Sequence, residues 1–92
     1  MDIRDALIDW DEPDDETGNV MHIGEHGLTT DEVDSVLADS EDTIFDVSAS
    51  TGRPMAFGTT NTGRFIAVVF EVLQRDDPFI IRPITAYEVP EP

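Results

Sequence analysis

The alternation of apolar and polar side chains predicts a sheet of four to five strands. The predicted strands cover residues 3–10 (a strand or an extended lead-in), 43–47, 53–59, 64–73 and 79–85. The strongest of them contains an unbroken apolar block from Phe65 to Phe70, whose side chains alternate between the two faces of a sheet. Such a strand normally lies in the centre of a sheet with both faces covered. Two short helices can cover one face of this sheet. The other face must then be covered by curling of the sheet, by a partner protein or by a second copy of the chain.

Two short helices are predicted between the first and second strands. The first covers about residues 17–25 and ends at Gly27, because glycine adopts the left-handed backbone conformation after a helix without strain. The second begins at Thr29, since Thr29 and Glu32 have the spacing of a capping box, in which each side chain binds a free backbone N–H of the other residue. Its core stripe, at helical spacing, is Val33, Val36 and Leu37.

The order of these elements, β-α-α-β-β-β-β, predicts a single α+β domain over residues 1–92. Two short helices pack on a twisted antiparallel sheet in this arrangement. An acidic loop is expected at residues 11–17 and a short C-terminal tail at residues 87–92. Pro83 interrupts the last strand and predicts an edge position or a bulge there.

Charge narrows the choice of partners. The chain of 92 residues has 21 acidic and 5 basic residues, a net charge of −16 at pH 7, and all of its basic residues are arginines. Binding to nucleic acid depends on cationic groups that neutralise phosphates, so this charge disfavours nucleic acid and anionic membranes alike. A basic protein or a cation is the better complement. Adaptation to high salt, or mimicry of nucleic acid by carboxylates, would give the same composition.

Other classes are disfavoured by what the sequence does not contain. It has no cysteine, which excludes disulfides and thiolate metal sites. It has no signal-like apolar start and no apolar run long enough to cross a membrane, so we expect a cytoplasmic protein without cofactors. His22 and His26 stand four residues apart on the first helix, as in zinc-binding helices, but no third ligand accompanies them, so we predict no metal site.

A set of short motifs recurs in a recognisable order. It comprises Trp10-Asp11, Asn19, His22, His26-Gly27, the capping box, Gly58, Gly63-Arg64, the apolar strand and Ile84-Thr85-Ala86. In order and spacing this set resembles the BrnT-type toxins, small ribonucleases of the RelE superfamily. The resemblance implies an α+β fold, RNA cleavage and neutralisation by a cognate antitoxin. It also implies that Arg64 and Arg82 match the family's arginines, with His22 and His26 as landmarks of the first helix.

The sequence departs from the family in three ways. Tyr87 stands where members usually have an arginine, residues 88–92 with their two prolines cannot form the usual basic helix, and the surface is acidic rather than basic. Our first hypothesis is therefore a non-catalytic protein that binds a partner, either an antitoxin or a basic protein, or that forms a homodimer. The alternatives are an active ribonuclease toxin and a nucleic-acid mimic.

Six residues are candidates for a functional site. In a ribonuclease, Arg64 and Arg82 would stabilise the developing phosphorane and His22 would move protons near neutral pH. The competing interpretation is that both arginines pair with nearby carboxylates. For a binding protein, the candidate contact residues are Trp10, Phe70 and Tyr87.

The excess of carboxylates also predicts how stability responds to salt. Raising a neutral salt from about 0.1 M to about 1 M shortens the Debye length from roughly 10 Å to roughly 3 Å and screens self-repulsion. We expect the midpoint of thermal unfolding to rise over this range. Circular dichroism melts in sodium chloride test this, and a midpoint that stays constant or falls would show that self-repulsion does not limit stability.

Overall fold

A computed structural model describes residues 3–39, 44–47 and 51–90, the side chains of residues 4, 44 and 45 excepted. A short 3-10 turn, Ile3–Asp5, precedes the first strand. The helices are α1 (Asn19–Glu25) and α2 (Thr30–Ala38), and the strands are β1 (Leu7–Ile8), β2 (Ile44–Val47), β3 (Pro54–Thr59), β4 (Phe65–Gln74) and β5 (Ile80–Glu88). This order confirms the predicted α+β fold.

The five strands form one sheet in the spatial order β1-β5-β4-β3-β2. Consecutive strands from β2 to β5 are antiparallel, whereas β1 pairs with β5 in parallel, Leu7 opposite Ile80 and Ile8 opposite Ile81. The sheet is therefore mixed, with one parallel pair added to the predicted antiparallel arrangement. The strongest predicted strand, β4, lies at the centre as expected.

The main core lies between the helices and one face of the sheet. Ile23 of α1 and the predicted stripe of α2 are buried there. The sheet contributes the other main members of this core, which include Ala56, Ile66, Val68, Phe70, Ile81 and Ala86. Alternation along β4 explains why Ile66, Val68 and Phe70 belong to this core, because alternate side chains of a strand point to the same face of the sheet.

The helix boundaries follow the predicted capping signals. Thr29 is the N-cap of α2, its side chain accepts the backbone N–H of Glu32 at 3.2 Å, and the reciprocal bond from Glu32 completes the capping box. Gly27 follows α1 with φ +77°, the left-handed conformation that was predicted. The structure begins α1 at Asn19, two residues later than predicted, because Thr17 belongs to a turn and Gly18 is the N-cap, with an extended backbone.

Only Leu7 and Ile8 of the first predicted strand, residues 3–10, are in a strand, whereas β5 extends beyond its predicted end. Its register against β4 shifts beside Pro83, where Phe70 pairs with Pro83 and Val69 with Thr85, which confirms the predicted bulge. The strand then continues to Glu88, so Tyr87 and Glu88 of the predicted tail are part of the sheet. Residue 43 of the second predicted strand, and residues 1–2 and 91–92 of the predicted domain, lie outside the described residues. No helix in the described ranges has the length and apolarity to span a membrane.

Candidate functional site

Arg82 of β5 is held by the segment that follows β1. Its Nη2 donates to Asp11 Oδ2 at 2.6 Å, and its Nη1 donates to Asp11 Oδ1 at 3.0 Å and to Asp9 Oδ2 at 3.2 Å. The parallel pairing of Ile8 with Ile81 brings these three residues together. Hydrogen bonding to Asp11 raises the pKa of Arg82, and the same bonds lower the pKa of Asp11. Arg82 is thus neutralised by two carboxylates.

Asn19, the first residue of α1, fixes the same segment from the other side. Asp11 and Asn19 are bonded reciprocally, since Asp11 N–H donates to Asn19 Oδ1 at 2.9 Å and Asn19 N–H donates to Asp11 Oδ2 at 2.8 Å. Asn19 Nδ2 also donates to the carbonyls of Asp9 and Pro83, both at 2.9 Å. A Cβ on Gly18 would lie 2.7 Å from Asp11 Cβ, so this close approach requires glycine. We call Asp9, Asp11, Asn19 and Arg82 the arginine clamp.

Arg64, the residue immediately before β4, is neutralised by a separate set of contacts. Its Nε donates to Glu88 Oε1 at 2.7 Å, and its Nη1 donates to the Gly27 carbonyl at 2.6 Å and approaches Glu32 Oε2 at 3.5 Å. These contacts tie the start of β4 to the end of β5 and to the loop between the helices. Hydrogen bonding to Glu88 is the main cause that raises the pKa of Arg64.

Glu32 is a buried carboxylate that accepts hydrogen bonds from several neighbouring groups. Besides its capping bond to Thr29, its Oε2 accepts the hydroxyl of Thr62 at 2.5 Å, in the turn between β3 and β4. The Thr62 bond is the largest cause that lowers the pKa of Glu32, against the opposing effect of burial. Asn61 N–H also donates to Ser35 Oγ at 3.0 Å. The start of α2 is therefore bound to this turn.

The three predicted catalytic residues do not converge on one point. His22 and Arg82 line a cleft of about 190 Å³ together with residues of the loop before α1, whereas Arg64 is absent from its lining. The His22 ring lies next to the His26 ring, with 5.8 Å between their centroids, and the His26 ring lies 6.2 Å from the ring of Tyr87. Both arginines are ion-paired, which confirms the interpretation that they bind nearby carboxylates.

The candidate contact residues lie in different places. Phe70 is 4% exposed in the main core and has no surface to offer a partner. Trp10 packs partly buried against that core, and its Nε1 donates to Asp34 Oδ1 at 3.1 Å. Tyr87 belongs to the sheet face that no described helix covers. The residues of this face, which we call the open sheet face, are Met55, Phe57, Ala67, Val69, Tyr87 and Val89.

The open sheet face has a small core of its own. Met55, Ala67 and Val69 are buried, while Phe57, Tyr87 and Val89 pack around them and remain partly exposed. Asp46 of β2 lies opposite Met55 and is exposed, so a carboxylate borders the apolar centre. Thr85 pairs with Val69 on the neighbouring strand, and its buried hydroxyl has no hydrogen-bond partner among the described residues.

Sequence reasoning did not identify the carboxylates that matter most. Asp9 and Asp11 were assigned to a strand end and a solvated loop, and Glu88 to a tail. Only the capping-box spacing pointed to Glu32, and it gave the bond to Thr29 but not the bond to Thr62. Across the described part of the chain, no three His, Asp or Glu side chains are arranged to hold a metal ion.

Comparison with protein-family models, with curated proteins and with solved structures found no match for this chain. The relation to BrnT-type toxins therefore stays a prediction that rests on sequence motifs. Among the described residues, the arrangement consists of Arg64 and Arg82, each paired with carboxylates, and one apolar sheet face with the exposed carboxylate of Asp46 beside it.

Proposed function

We propose that this protein is non-catalytic and acts by binding a basic protein on its open sheet face. The observation that carries the proposal is the partly exposed apolar surface of Phe57, Tyr87 and Val89, on the side of the sheet without a described helix. Aromatic and apolar side chains around a well-packed centre are typical of the residues that dominate binding energy at interfaces. A BrnT-like ancestry is compatible with this role and is part of the proposal.

Charge determines the kind of partner. A net charge of −16 makes self-association or binding to an acidic protein costly, whereas a basic rim on the partner gains from complementarity. The arginines at positions 53, 64 and 82 are already paired with carboxylates of this chain. The net field around the open sheet face is therefore negative, and we expect the rate and strength of association to fall with added salt.

The test begins with capture of partners from the cells in which the chain is made, followed by purification of the captured protein. We expect a basic protein whose affinity falls at least tenfold when Phe57→Ser is introduced, since truncation of a residue that dominates an interface costs about 2 kcal/mol or more. Met21→Ser on α1 is the control, because Met21 is also an exposed apolar residue, at 36%, but lies on a helix. Thermal melts establish that each variant is folded.

Three outcomes would contradict the proposal. Equal loss of affinity in Met21→Ser would mean that the open sheet face is not the binding surface. A concentration-independent dimer in sedimentation, abolished by Phe57→Ser, would place a second copy on that face. Growth arrest with cleaved transcripts upon expression in a bacterial host, lost in Arg82→Ala, would establish the ribonuclease alternative.

A further inference from the structure

A cleft lies on the helix side of the sheet, between the N-terminal segment and α2. Its volume is about 280 Å³, and apolar side chains that include Ile3, Ile8 and Leu37 form its walls. Its two polar groups are the indole N–H of Trp10 and the carboxylate of Asp34. We call it the Trp10–Asp34 cleft. Because its walls belong to the main core, it is separate from the open sheet face.

Asp34 is the only charged side chain among the described residues that line this cleft. Its Oδ1 accepts the Trp10 indole N–H at 3.1 Å, and no hydrogen bond from the described residues reaches Oδ2. Burial raises the pKa of Asp34, and the nearby charge of Asp31 raises it further. No arginine side chain within the described part of the chain lies at ion-pair distance from it, in contrast to the carboxylates that hold Arg64 and Arg82.

A half-buried carboxylate that no described cation contacts is in an unfavourable position, and a bound cation would relieve it. An ionised group removed from water loses hydration that only a close opposite charge or further hydrogen bonds can replace. The apolar walls add a second requirement, because a hydrated metal ion would gain nothing from them. The ligand that meets both requirements has an aliphatic part and a cationic end.

We propose that the Trp10–Asp34 cleft binds a single arginine side chain of a protein partner. The methylene groups would lie along Ala6 and Ile8, which are partly exposed, and the guanidinium would donate to Asp34 Oδ2 beside the Trp10 ring. Arginine fits better than lysine because its planar guanidinium forms directed bonds to a carboxylate and stacks on aromatic rings. The volume lies just below the roughly 300 Å³ at which pockets for whole small molecules begin, which suits one side chain.

The proposal can be tested with a small probe, because Trp10 is the only tryptophan in the chain. The probe is N-acetyl-arginine methylamide, titrated at constant ionic strength into isotope-labelled protein. We expect saturable shifts of the Trp10 indole N–H resonance and of the Asp34 carboxyl carbon, with a dissociation constant in the millimolar range. The corresponding citrulline derivative, which has the same shape without the charge, should bind at least tenfold more weakly.

Two matched variants separate the specific contact from overall charge. Asp34→Asn keeps an oxygen to accept the Trp10 N–H but removes the charge, and it should lower affinity for the arginine probe at least tenfold. Glu25→Gln removes one charge from an exposed position on α1, and it should change affinity less than twofold. Equal binding by Asp34→Asn, equal binding of the citrulline probe, or wild-type shifts that map to Phe57 and Tyr87 would each overturn the assignment. If arginine does not bind in the Trp10–Asp34 cleft, the proposal for the open sheet face is unaffected. If no partner binds the open sheet face, the proposal for the cleft is likewise unaffected.

Discussion

Replacement of Asn19 by alanine is expected to lower the free energy of unfolding by about 3 kcal/mol. The buried side chain makes three hydrogen bonds at 2.9 Å, to the Asp11 N–H and to the carbonyls of Asp9 and Pro83. A hydrogen bond of this kind contributes about 1 kcal/mol, and its loss here leaves backbone groups without partners in a place of low exposure. For a domain of this size, each kcal/mol corresponds to roughly 4–8 °C in the unfolding midpoint.

Two further variants make this prediction specific to the hydrogen bonds. Asn19→Asp keeps the shape but replaces the amide nitrogen and its two N–H donors with one oxygen that faces the carbonyls of Asp9 and Pro83, so it should destabilise at least as much as alanine. Asn61→Ala is the control, because Asn61 is exposed and its side chain makes no hydrogen bond to the described residues, and we expect a change within about 0.5 kcal/mol. Urea unfolding followed by circular dichroism measures all three. A loss under about 1 kcal/mol for Asn19→Ala would mean that water replaces these bonds.

The second large effect is expected from Glu32→Gln, about 2 kcal/mol at neutral pH. Hydrogen bonds to a charged group contribute about 1.5–3 kcal/mol, and glutamine retains only part of the arrangement around Thr29 and Thr62. An amide oxygen can still accept the Thr29 N–H, but the amide nitrogen replaces the oxygen that accepts the Thr62 hydroxyl. It also turns a donor towards Arg64, whose Nη1 is 3.5 Å away.

The effect of Glu32→Gln should depend on pH in one direction. The Thr62 hydroxyl bond, with the other donors, holds the pKa of folded Glu32 below its ordinary value near 4.5. A carboxyl with a lowered folded pKa contributes stability above its unfolded pKa and loses it as pH falls through the folded pKa. The difference between wild type and variant should therefore be constant above about pH 5 and shrink below about pH 4.5.

Glu25→Gln is the control for the general effect of removing one negative charge. Glu25 is exposed, so its variant should differ from the wild type by less than about 0.5 kcal/mol at any pH between 4 and 8. Unfolding free energies from guanidinium titrations at several pH values give the comparison. A Glu32→Gln difference that persists unchanged at pH 3.5 would show that shape, rather than ionisation, accounts for the loss.

Local signals predicted the parts of the fold that local chemistry controls. The capping box placed the start of α2 correctly, Gly27 placed the end of α1, and the apolar block placed β4 at the centre of the sheet. The bulge beside Pro83 could also be predicted from the sequence, because proline has no backbone N–H to donate to a neighbouring strand. Each of these outcomes depends on residues within a few positions of one another.

The site could not be predicted in the same way, because its partners are far apart in sequence. Arg82 and Asp11 are separated by 71 positions, and their meeting depends on the parallel pairing of β1 with β5. The alternation over residues 3–10 predicts an extended segment there, but it does not tell which strand this segment pairs with or in which direction. The candidate residue Phe70 illustrates the same limit, since alternation alone does not tell which face of a central strand the helices will cover.

The pairing of β1 has a consequence for the order in which the protein assembles. Among the described strands, β1 is hydrogen-bonded only to β5, so Leu7 must wait for Ile80 to be synthesised before it can join the sheet. Pairing of residues so far apart in sequence requires closure of a long loop, which costs more entropy than closure of the short β3–β4 hairpin. We therefore expect β1 to pair with β5 more slowly than β3 pairs with β4. Asp9 and Asp11 arrive with β1, and therefore Arg82 gains these two ion pairs only when β1 joins the sheet.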